Sequence, residues 1–223
     1  MHVTRSATKP LFTYKLHGTI LKNFKEAKYL GVTLDHKLSW NKHVDNVVAK
    51  ANSTLGMARR NLKPAPQAIK QQAYFALTRP HVEYASCTWD PYSDRNIRQV
   101  DMVQRRAARF VTNRYHNTSS VSDMLEMLSW QSLKQRRLIA RTTLLYKTIN
   151  GLVALPSGPD YLPRNIRITR HSNQDTFIHY STSTDSLKYS FYPRTIVDWN
   201  KLPAEVREAT SADAFRAAVA KAL

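Results

Sequence analysis

The stretch that decides the fold runs from residue 40 to residue 62 and reads WNKHVDNVVAKANSTLGMARRNL. Its apolar side chains recur at the three- and four-residue intervals that place them on one face of an α-helix. Ser39 suits an N-cap, and Pro64 lies just beyond the end of the stretch. The spacing therefore predicts one long amphipathic helix with a buried face. The residues of that face are Trp40, Val44, Val47, Val48, Ala51, Leu55, Ala58 and Leu62.

Helices also dominate the chain on the C-terminal side of this stretch. Pro66 suits the first turn of a helix, and we expect Pro80 to kink or end that helix because proline lacks a backbone N–H. Ser120 and Asp123 resemble a weak capping box at the start of a short helix. The predicted helical segments are 66–80, 97–114, 121–128 and 131–149.

Before the long helix the pattern changes to the alternation that is typical of strands. Residues 12–16 alternate apolar and polar, residues 17–18 supply a turn, and residues 20–21 are apolar again. This pattern predicts a β-hairpin. Residues 30–34 alternate around Gly31, which predicts a third short strand.

The C-terminal part of the chain mixes both kinds of signal. Thr176–Tyr180 and Leu187–Tyr192 are rich in the β-branched and aromatic residues that favour strands, and Pro193 would end the second strand. Ser211 suits the N-cap of a last helix. We therefore expect a small α+β module at this end.

Charge and composition divide the chain into three predicted parts. Residues 1–170 hold 28 basic and 10 acidic side chains, whereas residues 171–223 hold 6 of each. A turn-rich run, LPSGP at residues 155–159, lies near this change. We expect a mainly α protein with a β segment at 1–38, a basic helical bundle at 39–155 and a neutral α+β module at 156–223.

The net charge of +18, from 34 basic and 16 acidic residues, calls for a polyanionic partner. Nucleic acid is the leading candidate, and an anionic membrane surface is the second. No apolar run approaches the ~18 residues of a membrane span, and the N-terminus lacks the apolar core of a signal peptide. The sole cysteine, Cys87, fits a reducing compartment. We expect an intracellular protein, nuclear or cytoplasmic, that is not secreted or embedded in a membrane.

The helix at 97–114 carries a stripe of arginines opposite its apolar side. Arg98, Arg105 and Arg109 fall within about 40° of one another at 100° per residue, and Arg95 and Arg106 flank them. Arginine keeps its charge at any working pH, and its planar guanidinium group can donate two parallel hydrogen bonds to phosphate oxygens. We expect this stripe to contact nucleic acid; the alternative is an ordinary solvated helix face.

Two further groups extend the predicted nucleic-acid-binding set. Lys134, Arg137 and Arg141 cluster on one side of the helix at 131–149. Arg114 lies at the end of the earlier helix, beside Tyr115, whose ring could stack on a base.

The sequence lacks the residue patterns that mark several common kinds of active site. Two-metal phosphoryl transfer needs converging carboxylates, yet no two acidic residues are adjacent and no Asp-x-Asp occurs. The eight histidines show no metal-ligand spacing, and no glycine-rich phosphate loop or nucleophile elbow is present. Asp35 could be considered as a ligand, but a turn residue is the better interpretation. We expect no catalytic residue, no metal site and no cofactor.

Several short motifs follow one another along the chain, and they are Lys28–Asp35, Leu38–Trp40, His43–Val44, Arg79–Tyr84, Trp89–Pro91, Val103–Phe110, Tyr146–Gly151, Ser190–Thr195 and Trp199–Pro203. In this order and spacing they resemble the palm-to-thumb passage of reverse transcriptases from non-LTR (LINE-type) retrotransposons, especially jockey-like elements. The resemblance covers nearly the whole chain from about residue 28.

This resemblance implies only part of a polymerase. The paired-aspartate box of the family's palm lies upstream of the matched passage, and Met1–Arg5 looks like the strand that follows it. The metal-binding aspartates, the endonuclease and the C-terminal Cys/His knuckle of some relatives are therefore expected to be missing. On this reading residues 12–21 and 29–34 belong to the palm edge, and the rest is the thumb and the C-terminal extension that hold the template–primer duplex.

The resemblance thus implies a truncated RNA-directed DNA polymerase that binds template–primer but does not polymerise. Its partners would be an RNA–DNA hybrid or duplex and the palm and fingers of the parent polymerase, whose loss should leave apolar surface exposed. The alternative is a degenerate transposon remnant or a protein-interaction module that binds no nucleic acid. An active reverse transcriptase is the third and least favoured reading.

Overall fold

The computed structural model describes residues 1, 3, 12–116, 118–153, 162 and 176–223. The chain forms two compact units, and each is described by itself. The first unit comprises residues 1–82 and 91–111, and the second comprises residues 83–90 and 112–223. These boundaries differ from the divisions drawn on charge and composition, because the short segment 83–90 packs with the C-terminal half of the chain. The division expected near residue 155 lies outside the described residues.

The first unit begins with two antiparallel hairpins. Strands β1 (Lys15–Leu16) and β2 (Thr19–Ile20) form the first, as the alternation predicted. Strands β3 (Glu26–Tyr29) and β4 (Val32–Asp35) form the second. The single strand predicted across Gly31 is wrong, because Gly31 lies in the turn between two strands.

The two turns explain the register of the hairpins. His17 and Gly18 have φ angles of 47° and 78°, and Leu30 and Gly31 have φ angles of 45° and 83°. Positive φ at both central residues is the mark of the tight turn whose twist matches that of the flanking strands. A glycine at the second position adopts this conformation at little cost.

The predicted long helix is confirmed as α1, which spans Asn41–Asn61. Trp40 occupies the N-cap position, and Ser39 accepts a hydrogen bond from the backbone N–H of Asn41 at 3.3 Å instead of capping deeper in the helix. The buried side of α1 includes Val44 and Leu55.

The next helical passage continues through Pro80 rather than ending there. Helix α2 spans Gln67–Ala73, a π-helical turn follows at Tyr74–Thr78, and α3 spans Arg79–Glu83. In a regular α-helix the ring of a proline would collide with the carbonyl four residues earlier. The wider π turn directly before Pro80 accommodates the missing hydrogen bond, so the chain stays helical.

Helix α5 spans Asp94–Thr112 and lies beside α1 in the same unit. Three side-chain hydrogen bonds join the two helices, from Asn96 to Asn41 at 2.8 Å, from Gln99 to Asp45 at 3.0 Å and from Arg106 to Asn52 at 2.9 Å. The residue numbers of both partners rise together, so the helices run in the same direction and these bonds set their register.

The second unit is built around a long helix, α7 (Leu133–Ile149). Ser132 and Gln135 form a capping box at its start, which satisfies backbone N–H groups at both positions. Phe215 packs in its core between Tyr146 and Trp199, with ring centroids 4.6 Å and 5.4 Å away. The helices of this unit are α4 (Ser86–Trp89), α6 (Val121–Met127), α7 (Leu133–Ile149), α8 (Asp185–Lys188), α9 (Phe191–Asn200), α10 (Ala204–Arg207) and α11 (Ala212–Ala222).

The mainly helical fold with N-terminal hairpins is confirmed, but the strand predicted at Leu187–Tyr192 is also wrong. Leu187–Tyr192 spans the end of α8 and the start of α9. Pro193 lies in the first turn of α9, where its missing N–H has no intrahelical partner to lose. Within Thr176–Tyr180 only Phe177 forms a β-bridge.

Candidate nucleic-acid interface

Helix α5 separates apolar and basic residues cleanly onto opposite sides. Val100, Val103 and Ala107 are fully buried in the first unit. Arg98 and Arg105 lie on the other side and are exposed, while Arg109 is half-buried. The burial of one face therefore fixes the direction in which the guanidinium groups of the other face project.

The three arginines of the stripe lack carboxylate partners in the described part of the chain. None of Arg98, Arg105 and Arg109 forms an ion pair there. The Nε atom of Arg109 is buried without a hydrogen-bond acceptor among these residues. Locking of the stripe into ion pairs would have removed its capacity to bind a polyanion, and the described residues do not lock it.

The two flanking arginines are partly engaged by α1. Arg95 lies 3.5 Å from a carboxylate oxygen of Asp45, with both side chains largely exposed. Arg106 donates to the side-chain oxygen of Asn52 at 2.9 Å. An exposed ion pair is worth little in water, so a phosphate could replace Asp45 as the partner of Arg95 at small cost.

Arg114 and Tyr115 follow the end of α5 and are exposed. Asn113, directly before them, has a φ of 55°, which breaks the helix and turns the chain. The two side chains are thus accessible to solvent.

The second predicted group, on α7, requires a correction. Lys134 is exposed as expected, but Arg137 and Arg141 are buried, each with a relative exposure of 3 %. Arg137 donates from Nε to Oδ1 of Asp90 at 2.8 Å, and Arg141 bonds to both Asp90 and Asp198. Both guanidinium groups are thus held by acids of the second unit and are not displayed on its outer surface.

The physical reason is that α7 is packed on more than one side. Helices α4, α9 and α11 all contact it within the second unit. A side that periodicity marks as polar is therefore covered, and its arginines are buried together with matching acids. The spacing of charges along α7 carries no information about these neighbours.

Sequence reasoning also missed the acidic partners of these arginines. Asp90 pairs with Arg137, Arg141 and Arg194, and its backbone oxygen accepts a second bond from Arg194 at 3.1 Å. Asp198 pairs with Arg141 through an oxygen 2.5 Å from Nη2. The available signal was the placement of Asp90 between Trp89 and Pro91, because a carboxylate beside a buried tryptophan calls for a cationic partner.

The surroundings shift the pKa values of these buried groups. Burial, and then the positive charge of Arg194, lowers the pKa of Arg141 to about 10, although Asp198 acts in the opposite direction. Burial also lowers the pKa of Arg194. Arg141 therefore stays protonated at neutral pH, and burial is the main cause of both shifts, with a smaller contribution from neighbouring guanidinium groups.

Other kinds of site are not evident in the described residues. No group of three or more His, Cys, Asp or Glu side chains there is placed to hold a metal ion. None of the helices in those segments is both long and apolar enough to cross a membrane. Cys87 is half-buried, and burial raises the pKa of its thiol, which disfavours the reactive thiolate.

Comparison of the chain with protein-family models, with curated protein sequences and with solved structures gives no match. The relationship to reverse transcriptases therefore stays a prediction that depends on the sequence motifs alone.

Proposed function

We propose that this chain is a segment of a non-LTR retrotransposon reverse transcriptase that holds the template–primer duplex and does not polymerise by itself. The observation that carries the proposal is the arginine stripe on α5: Arg98 and Arg105 are exposed, Arg109 is half-buried, and none of them has a carboxylate partner among the described residues. The ordered retroelement-like motifs supply the family part of the proposal.

The dimensions of the stripe suit a nucleic-acid backbone. From Arg98 to Arg109 the helix rises about 16 Å at 1.5 Å per residue. One strand of a duplex places a phosphate about every 3.4 Å along its axis, so the stripe spans about five phosphates. Arginine forks onto phosphate oxygens in two parallel hydrogen bonds, which favours such a contact over simple solvation.

The burial of α5 argues for nucleic acid over a lipid surface. A helix that lies on a membrane inserts its apolar face among the lipids. In α5 that face, with Val100 and Phe110, belongs to the core of the first unit. The exposed side of the helix is then dominated by arginines, which recognise phosphate groups.

The N-terminal hairpins support the proposed second partner, the palm and fingers of the parent polymerase. Large apolar side chains on and beside these hairpins are more than half exposed, which is unusual for a strand pair in water. A protein surface packed on them would remove this area from solvent. The side chains are Phe12, Tyr14, Leu16, Ile20, Phe24, Tyr29 and Leu30.

A salt titration tests the proposal directly. Binding of a labelled RNA–DNA hybrid is measured by fluorescence anisotropy at several salt concentrations. If about six arginines each neutralise one phosphate of the duplex, log K falls against log salt with a slope of roughly −5. Absent or salt-independent binding would defeat the proposal. Primer extension with Mg²⁺ should give no product, whereas extension by this chain alone would show an active polymerase.

The exposed hairpins also favour the competing candidate, a protein-interaction module that binds no nucleic acid. That candidate predicts aggregation or a protein partner for the chain, and no salt-dependent affinity for the hybrid. The same titration therefore separates the two functions.

A further inference from the structure

A basic cavity lies within the second unit, between α7, α8 and α9. Its volume is about 250 Å³. Lys134, Arg141, Lys188 and Arg194 line it, together with the carboxylate of Asp198. Four cations thus face one anion across a space large enough for a small ligand and a few water molecules.

The acids nearby do not balance these cations. Arg137, Arg141 and Arg194 share the carboxylates of Asp90 and Asp198. Among the described residues, this buried and partly buried group keeps one positive charge in excess even when both acids are ionised. Uncompensated charge away from water is costly, so a further anion at this place stabilises the fold.

Two lysines at the rim of the cavity add to this excess of positive charge. Lys134 and Lys188 are exposed and form none of the ion pairs found among the described residues. Their flexible ammonium groups can close over an anion that the guanidinium groups hold from inside. The lowered pKa values of Arg141 and Arg194 agree with cationic crowding at this position.

We propose that this cavity binds a phosphate group in its dianionic form. Two negative charges match the excess of the rim and the buried cluster better than one. The tetrahedral oxygens can accept from a guanidinium group and from both lysines at the same time. The phosphate could be inorganic or the terminal phosphate of a nucleic-acid strand, since both present the same oxygens.

This inference does not depend on the proposed role of α5, because the cavity belongs to the other unit. The experiment keeps the two apart by using the full chain with Arg98, Arg105 and Arg109 changed to Gln. Inorganic phosphate is titrated into this protein in a calorimeter, at fixed ionic strength maintained with chloride. We expect saturable binding with one phosphate per chain.

Lys188→Gln and Lys134→Gln should each weaken phosphate binding about tenfold, because each removes one charge-assisted hydrogen bond at a rim position that the fold does not need. Lys201→Gln is the matched control, since Lys201 is exposed in the same unit but does not line the cavity. Its affinity for phosphate should stay unchanged.

The source of the phosphate is decided in a second titration. A short oligonucleotide with a 5′-phosphate is compared with the same strand without it. Tighter binding of the phosphorylated strand, lost in Lys188→Gln, assigns the cavity to a nucleic-acid end; binding of inorganic phosphate alone assigns it to the free anion. No phosphate binding, or equal weakening by Lys188→Gln and Lys201→Gln, overturns the inference.

Discussion

Arg137 donates a hydrogen bond from Nε to Oδ1 of Asp90 at 2.8 Å, and the two side chains are only 3 % and 5 % exposed. The same carboxylate also pairs with Arg141 and Arg194. The side of α7 that was predicted to bind nucleic acid therefore takes part in a network of ion pairs inside the second unit. Its acids stabilise the fold by keeping the buried guanidinium groups of Arg137 and Arg141 and the partly buried one of Arg194 paired.

Replacement of Asp90 by Asn should lower the free energy of unfolding by about 3–5 kcal/mol, because breaking a buried pair leaves uncompensated charge away from water. Denaturation in urea, followed by circular dichroism, measures this loss.

Glu208→Gln serves as the control, since Glu208 is exposed and forms none of the ion pairs of the described residues. We expect a change within about 0.5 kcal/mol there. Equal stabilities of the two variants would show that the buried cluster contributes nothing to folding.

The contrast between α5 and α7 shows what periodicity can predict. On α5 the apolar residues identify the buried face, and the arginines opposite are accessible, because this helix leaves one side uncovered. On α7 the same reasoning fails for Arg137 and Arg141, because α4 and α9 cover the polar side. The periodicity of apolar residues identifies one buried face of a helix, but it does not predict how many other helices will pack against the remaining faces.

Turn chemistry shows a similar limit. The sequence pattern predicts the turn at His17-Gly18, but it places Leu30-Gly31 in a strand because the neighbouring residues alternate. The φ of 83° at Gly31 makes it the turn of a second hairpin. The C-terminal strand prediction failed for a related reason: aromatic content at Leu187–Tyr192 favoured a strand, whereas Thr184 caps a helix there through a bond to the backbone N–H of Leu187.

The Gly31 turn gives a direct test of this interpretation. Gly31→Ala should destabilise the first unit by about 1–2 kcal/mol, since a side chain at positive φ crowds the following carbonyl. Thermal unfolding of both proteins measures the difference.

Gly56→Ala is the control for the loss of glycine flexibility. Gly56 lies inside α1, and an added Cβ there would meet only the end of the Arg60 side chain, at 3.6 Å. We expect this change to stabilise the protein by up to about 1 kcal/mol. Effects of the same sign at both positions would contradict the assigned turn.

The predicted role of the arginine stripe in nucleic-acid binding is tested by removing its charges while helix α5 is kept intact. Changing Arg98, Arg105 and Arg109 to Gln should reduce the steepness of the salt dependence by about 3, because each lost phosphate contact lowers the slope by about one. Changing the same residues to Glu should abolish hybrid binding. Circular dichroism should show that α5 still forms, since its buried face is untouched.

A matched control separates the effect of the arginine stripe on binding from the effect of the net charge of the protein. Lys201, Arg216 and Lys221 are exposed in the second unit, and their change to Glu alters the net charge by the same amount. This variant should retain most of the affinity for the hybrid. If both triple variants lose binding equally, overall charge and not the stripe holds the nucleic acid.

The environment of His43 predicts that the stability of the first unit depends on pH. Its Nδ1 accepts the backbone N–H of Thr33 at 3.1 Å, which joins α1 to β4 and requires an unprotonated nitrogen. Burial lowers the pKa of His43 below its ordinary value of 6.5. The unfolded chain therefore binds a proton at higher pH than the folded chain does.

The stabilisation from a neutral His43 is fully present above pH 6.5 and is lost as the pH falls toward its lowered folded pKa. The free energy of unfolding should thus decrease between pH 7 and pH 5, by at most about 1.4 kcal/mol per pH unit for one proton. His43→Gln should flatten this dependence, whereas His179→Gln, at an exposed position, should leave it intact. An unchanged pH profile in His43→Gln would mean that another group takes up the proton, and that the bond to Thr33 does not control the acid response of the hairpin–helix junction.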